Sequence, residues 1–290
     1  MSTDWRHLYP FASHEIRCQT WRYHYVDEGD GPTLLMVHGN PTWSFYWRHL
    51  ICAWRERYRV IAVDHLGCGL SDQPQDYPYS LQNHTANLLQ LVDELDLREI
   101  TLFAHDWGGA IGLGAAVARP DRFRRFVLFN TAAFAPPYIP WRIRSCRLPI
   151  VGEWAVRRLN LFARAATRMA VQHPLTTEVK AGLLAPYHDW ESRVAIHRFV
   201  TDIPGSSRHP TWGVLEKLER DLATLADRPT QIIWGMRDWC FRAECLERLC
   251  NGFPTAKVHT LDDVGHYVVE EAHAAIVSIV SDFLQQTGSE

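Results

Sequence analysis

A chain of 290 residues, 47% hydrophobic and with 12 Trp, is long enough for one sizeable buried core plus an insertion. Its net charge of −3 gives no electrostatic reason to expect a nucleic-acid partner. The opening "MSTDWRHLYPF" lacks a basic stretch followed by an apolar one, and no apolar run approaches membrane-spanning length, so neither a signal peptide nor a membrane span is expected. Seven cysteines (Cys18, Cys52, Cys68, Cys146, Cys240, Cys245 and Cys250) lie scattered with no C-x-x-C. That suits a reducing cytoplasm and free thiols rather than disulfides or a zinc site.

In chain order, "EIRCQTWRYHYVDEG" predicts an antiparallel edge pair. The runs "TLLMVHG", "RVIAVD", "ITLFAHD", "FVLFN", "TQIIWG" and "AKVHTLD" follow, separated by helical patterns. Near-continuous apolar runs suit central parallel strands covered on both faces. The alternation predicts an α/β fold with a mostly parallel sheet flanked by helices. It breaks between Asn130 and Pro229, where turn-rich "NTAAFAPPYIPWRIRSCRLP" leads into helical stretches with no convincing strand. A helical insertion over 135–215 is expected above the C-terminal strand ends, where such sheets bind ligands. The core then comprises 1–134 and 216–290. The insertion's first half carries Arg142, Arg144, Arg147, Arg157, Arg158, Arg164 and Arg168 against Glu153 alone. We read it as a solvated, salt-bridged helix face.

"LFAHDWGGA" reads as a strand turning sharply into a Gly/Ala-rich helix, the pattern of a nucleophile elbow. Its tip is Asp106 rather than serine. A helix N-cap is the plainer reading of that aspartate, but a histidine in the right place tips the balance. "LDDVGHYVVEEAH" puts His266 in a loop after the last predicted strand, where this architecture keeps its base. His38, His49, His65 and His105 compete and are assigned to turns and packing, with His105 pointing away from the site. Asp238, directly after "TQIIWG", completes the order nucleophile–acid–histidine. Asn130 occupies the alternative acid position one strand earlier, but an amide cannot stabilise an imidazolium as a carboxylate does. Asp262 and Asp263 are assigned to a strand end and its turn. "HGNPTWSFYWR" places the amide of Asn40 as an oxyanion donor, and its side chain adds a second donor. Trp107 contributes its backbone N–H and an indole N–H. Gly109, Gly112 and Gly114 do not make G-x-G-x-x-G in order, so dinucleotide binding is not expected.

A carboxylate attacks an ester carbonyl poorly but can displace a leaving group at saturated carbon. The resulting ester of Asp106 is then open to water activated by His266. Side chains fill every role, so no metal or organic cofactor is expected.

The motifs "HGNPTWSFYWR", "DHLGCGLSDQP", "AHDWGGAIGLGAA" and "DDVGHYVVE" resemble those of the haloalkane dehalogenase family, in order and spacing, across essentially the whole chain. "NTAAF", "APYHDW", "HRFVTDIP" and "WGMRDWCF" look like its third subgroup, which also contains bacterial β-lactone decarboxylases of olefin biosynthesis. The resemblance implies an α/β-hydrolase fold with a helical cap. It implies nucleophile Asp106, base His266, acid Asp238, and Asn40 and Trp107 as halide or leaving-anion donors. The implied partners are a small apolar organic substrate and a halide ion, with a homo-oligomer left open. Dehalogenation is the first expectation and β-lactone decarboxylation the alternative. An epoxide hydrolase, needing two ring-opening tyrosines for which only Tyr138 and Tyr187 qualify, ranks lower, as does a non-catalytic receptor.

Overall fold

The computed structural model describes residues 4–286, so the outer ends of the expected core segments, 1–3 and 287–290, lie outside the described residues. The chain opens with a hairpin of β1 (Ser13–Cys18) and β2 (Trp21–Glu28). Six more strands follow: β3 (Thr33–Val37), β4 (Arg59–Val63), β5 (Ile100–Asp106), β6 (Phe123–Thr131), β7 (Thr230–Gly235) and β8 (Lys257–Leu261). They form one sheet in the order β1-β2-β4-β3-β5-β6-β7-β8. The β1–β2 and β2–β4 pairs are antiparallel, and all pairs from β4 onward are parallel.

Successive side chains of a strand point to opposite faces. Leu35, Val37, Leu102 and Ala104 therefore join one core, and Leu34, Met36 and Phe103 the other. The first core is covered by α2 (Leu81–Glu94), which follows α1 (Arg48–Trp54), and by α3 (Trp107–Ala118). Residues Leu50 and Ile51 of α1 cover the second. Burial on both faces explains why β3 and β5 read as unbroken apolar runs.

The expectation of full coverage fails at β8. It forms the sheet edge with Lys257, Val258 and Thr260 exposed. Its alternating polar residues suit an edge better than an interior position.

Between β6 and β7 the chain is helical: α4 (Trp141–Cys146), α5 (Val151–Arg157), α6 (Leu161–Met169), α7 (Thr177–Leu184), α8 (Val194–Asp202) and α9 (Pro210–Asp221). A small core of its own, including Ile143, Val156, Ala163 and Ile196, holds part of this segment together. The expected boundary between 215 and 216 falls inside α9, whose Leu215 and Leu218 belong to the first sheet core. The chain closes with α10 (Ala243–Gly252), α11 (Val268–Glu271) and α12 (His273–Gln286). Among the described residues, no helix is long and apolar enough to cross a membrane.

Candidate active site

β5 runs into α3 with Asp106 at the junction, at φ 55° and ψ −127°. A positive φ is rare for a residue with a side chain and marks stored strain. The turn closes because its neighbours are small. A Cβ on Gly39 would overlap the Asp106 carboxylate, and one on Gly108 would overlap the Val37 carbonyl. The Thr131 hydroxyl donates to the Asp106 carbonyl and pins the turn from β6. Asp106 occupies the N-cap position of α3, yet its side chain makes no capping bond. It turns instead toward the loop after β3, where the Asn40 amide donates to Oδ1 at 2.7 Å. The Trp107 amide also donates to this carboxylate.

The other oxygen, Oδ2, faces His266 Nε2 at 3.7 Å. His266 Nδ1 donates to Asp238 Oδ2 at 2.7 Å. Asp238 is itself fully engaged. The amides of Cys240 and Phe241 donate to Oδ1 at 2.6 and 3.0 Å, and Asn130 Nδ2 donates to Oδ2 at 3.0 Å. Four donors on one buried carboxylate fix both its position and the imidazole it orients.

Burial raises the Asp106 carboxyl above its usual range, against the pull of His266 and of the Asn40 and Trp107 amides. For His266, burial acts to lower the pKa, but Asp238 and then Asp106 outweigh it and hold the imidazole above its ordinary value. A buried imidazole between two carboxylates is suited to accept a proton and keep it.

The other histidines are placed elsewhere. His105 Nε2 donates to the His266 carbonyl at 2.8 Å, behind the site, and so supports the His266 loop from below. His38 and His65 bond each other in the loops after β3 and β4. Burial keeps His38, His65 and His105 below the ordinary imidazole range. His49 stacks on His273 at 4.0 Å. Asp262 and Asp263 lie exposed in the turn after β8.

Asp106, Trp107, Asn40 and His266 line one cavity of about 380 Å³, while Asp238 stands behind His266. The opposite wall comes from the helical segment, with Trp141, Ile143, Leu161, Phe162 and Met169. The Asn40 side-chain nitrogen donates to the Ile196 carbonyl at 3.1 Å, which uses one of its two protons. The two-tyrosine arrangement of the epoxide reading is not formed. Tyr138 lines the cavity, but its hydroxyl donates to the Cys240 carbonyl; Tyr187 is buried outside it, bonded to the Thr42 carbonyl.

Some contributors escape a reading of the sequence. Asn130 donates to Asp238 and tethers it. Phe241 stacks on His266 at 5.6 Å between centroids and 14° between planes. Arg48 and Glu270 form a buried two-pronged ion pair at 2.8 and 2.7 Å, joining the Asn40 loop's helix to the one after His266. These two residues end the first and last motifs, which is the only hint the sequence offers of their pairing.

The family model of the alpha/beta hydrolase fold matches residues 32–273, most of the chain. The chain belongs to the alpha/beta hydrolase fold family. This hydrolase-fold chain is 40% identical over 275 residues to a cis-3-alkyl-4-alkyloxetan-2-one decarboxylase of Xanthomonas campestris, covering 90% of this chain and 92% of the relative. It is 35% identical over 279 residues to haloalkane dehalogenase 2 of Mycobacterium tuberculosis, covering 94% and 95%. Among solved structures, the haloalkane dehalogenase DatA of Agrobacterium tumefaciens superposes with a TM-score of 0.86 at 26% identity, covering 95% of this chain and 96% of that one. The resemblance read from the motifs is borne out, and the relatives of this α/β-hydrolase are enzymes.

Proposed function

We propose that this α/β-hydrolase uses Asp106 as a nucleophile at saturated carbon, with a cis-3,4-dialkyl β-lactone as its substrate, giving a cis-alkene and carbon dioxide. The observation that carries the chemistry is the asymmetric hold on Asp106, with Oδ1 bound by the Asn40 amide and Oδ2 facing His266. For the substrate, the decarboxylase relative stands at 40% identity against 35% for the dehalogenase, which reverses the order the motifs alone suggest. The apolar wall of the helical segment, acting as a cap, supports an alkyl-bearing substrate.

In this reaction Asp106 Oδ2 attacks the ring carbon that carries the ring oxygen. That C–O bond breaks and its electron pair leaves as a carboxylate, held by the second Asn40 amide proton and the Trp107 indole N–H. The bond to this carboxylate then breaks to release carbon dioxide. Its pair forms the alkene while the ester bond to Asp106 breaks and restores the nucleophile. Backside attack followed by anti elimination keeps the two alkyl groups on one side, so a cis lactone gives a cis alkene. No water is consumed.

Haloalkane hydrolysis is the second reading, favoured by the Asn40–Trp107 donor pair and the match to DatA. There Asp106 displaces halide, and the alkyl ester is cleaved by water that gives its proton to His266 Nε2. Asp238 stabilises the imidazolium, and the Asn40 and Trp107 amides hold the oxyanion on Oδ1.

The two readings part at His266. Purified enzyme is assayed for alkene and carbon dioxide from a cis-β-lactone and for halide from terminal bromoalkanes, with wild type and His266→Phe side by side. Alkene from wild type, with substantial alkene formation kept in His266→Phe, is the expected result. Halide release without alkene, with an alkyl adduct on Asp106 in His266→Phe by mass spectrometry, would replace it with the dehalogenase reading.

A further inference from the structure

Eight of the eleven exposed large hydrophobic residues in the described structure fall between 141 and 169: Trp141, Leu148, Ile150, Val151, Trp154, Leu159, Leu161 and Met169. Trp141 is 71% exposed, Ile150 83% and Val151 65%. Folding does not require this. A soluble surface scatters such residues singly, and a contiguous group marks an interaction site. Ile150 also sits at φ 64°, a backbone region a β-branched residue rarely adopts, with its side chain in water. A residue that breaks local rules without stabilising the fold points to a task outside it.

The same stretch holds seven arginines and a single acidic residue, Glu153, in a chain whose net charge is −3. The salt-bridged face expected from the sequence is not what forms. Among the described residues, only Arg157 of these seven is ion-paired, to Glu153 at 2.8 Å, and Arg142, Arg144, Arg158 and Arg164 have no ion pair. Arginines interleaved with exposed Trp, Ile, Leu and Val describe a surface that lies in a lipid interface, apolar groups among the acyl chains and guanidinium groups at the phosphates. Self-pairing of this face would bring its unpaired positive charges together, which disfavours a second copy.

We propose that the α4–α6 face docks on an anionic phospholipid surface, with Ile150, Val151 and Trp154 as apolar anchors and Arg144, Arg158 and Arg164 as headgroup contacts. Trp141, Leu161 and Met169 belong both to this face and to the lining of the active-site cavity, so the cavity mouth opens at the docked surface. An apolar substrate then enters from the lipid without crossing water. That consequence rests on the alkyl-substrate reading, but the docking itself does not.

The test is co-sedimentation of the full chain, without substrate, with vesicles of phosphatidylcholine alone or of equimolar phosphatidylcholine and phosphatidylglycerol. Wild type is expected to sediment with the anionic vesicles only and to be released by high salt. Ile150→Glu is expected to weaken binding by roughly tenfold or more, and Arg144→Glu with Arg158→Glu by roughly fivefold per residue or more. Thermal unfolding of each variant confirms that it is folded. No sedimentation with anionic vesicles, or equal binding by wild type and both variants, overturns the proposal. So does a wild-type oligomer by light scattering that Ile150→Glu splits while neither form binds vesicles, which assigns the face to a second copy. Because no turnover is read, each of these failures leaves the Asp106 reaction standing.

Discussion

The floor and the roof of the cavity are built in opposite ways. On the floor, each reactive group is held by others: Asp238 by four donors, Asp106 by the amides around it, His266 by Asp238 below and Phe241 alongside. In the roof, α4, α5 and α6 are six, seven and nine residues long, and none has a side-chain N-cap bond. Several of their large apolar side chains face outward. The contrast assigns different work to each. A floor whose members depend on one another fixes the reaction and tolerates little change. A roof of short helices can change residues without disturbing that geometry, so substitutions there are expected to alter substrate preference more readily than the chemistry.

Substitutions and pH test this division, from the largest effect to the smallest. Asp106→Ala should abolish turnover by roughly 10⁶-fold, the scale of removing a triad nucleophile, with the unfolding temperature little changed. Residual turnover near wild type would place the nucleophile elsewhere. Asp238→Asn should slow hydrolysis of an alkyl ester by roughly 10⁴-fold, because the amide leaves the imidazolium unsupported; a fully active variant would mean another acid serves. Glu270→Gln, which leaves Arg48 charged and buried with a weakened partner, should cost about 3 kcal/mol in chemical denaturation. A cost below about 1 kcal/mol would show that this tie does not hold the floor together.

The pH response should divide by reaction. The raised His266 pKa places the midpoint of imidazole protonation above the ordinary ~6.5. Hydrolysis needs the neutral form, so its rate should fall about tenfold per unit on the acid side of a midpoint above that value. Alkene formation uses no base and should persist to lower pH, until Asp106 itself protonates. Superimposable acid limbs for the two reactions would contradict the water-free route. At the other extreme, Ile150→Glu in the roof should change folding stability by no more than about 0.5 kcal/mol, the range of a surface substitution. A loss of several kcal/mol would make Ile150 part of a core and erase the contrast.

The floor was more legible in the sequence than the roof, for physical reasons. Asp106, Asn40 and His266 each stand where an apolar run gives way to small or turn-forming residues, a change written along the chain. Asn130 was visible only as a rival to Asp238. Its tether crosses from β6 to the loop after β7, and no local pattern encodes a contact between residues 108 positions apart. The β8 run looked like its neighbours because apolar content alone does not reveal which strand lacks a partner on one side. In the roof, the arginines and apolar residues were countable, but their outward orientation depends on how short helices fold over one another.

The Arg48–Glu270 pair joins residues 222 positions apart. A chain emerging from the ribosome makes Arg48 222 residues before Glu270, with His266 just ahead of the latter. Contacts of such long range form late, because a long loop must close before they are rewarded. The elbow at Asp106 can therefore be in place before the histidine and its bracing have been made. If Asp106 and His266 act as proposed, a chain that lacks the His266 segment carries the attacking carboxylate without the group that would release an ester by hydrolysis. On the roles proposed for Asp106 and His266, an alkylating compound met at that stage would stay attached to Asp106.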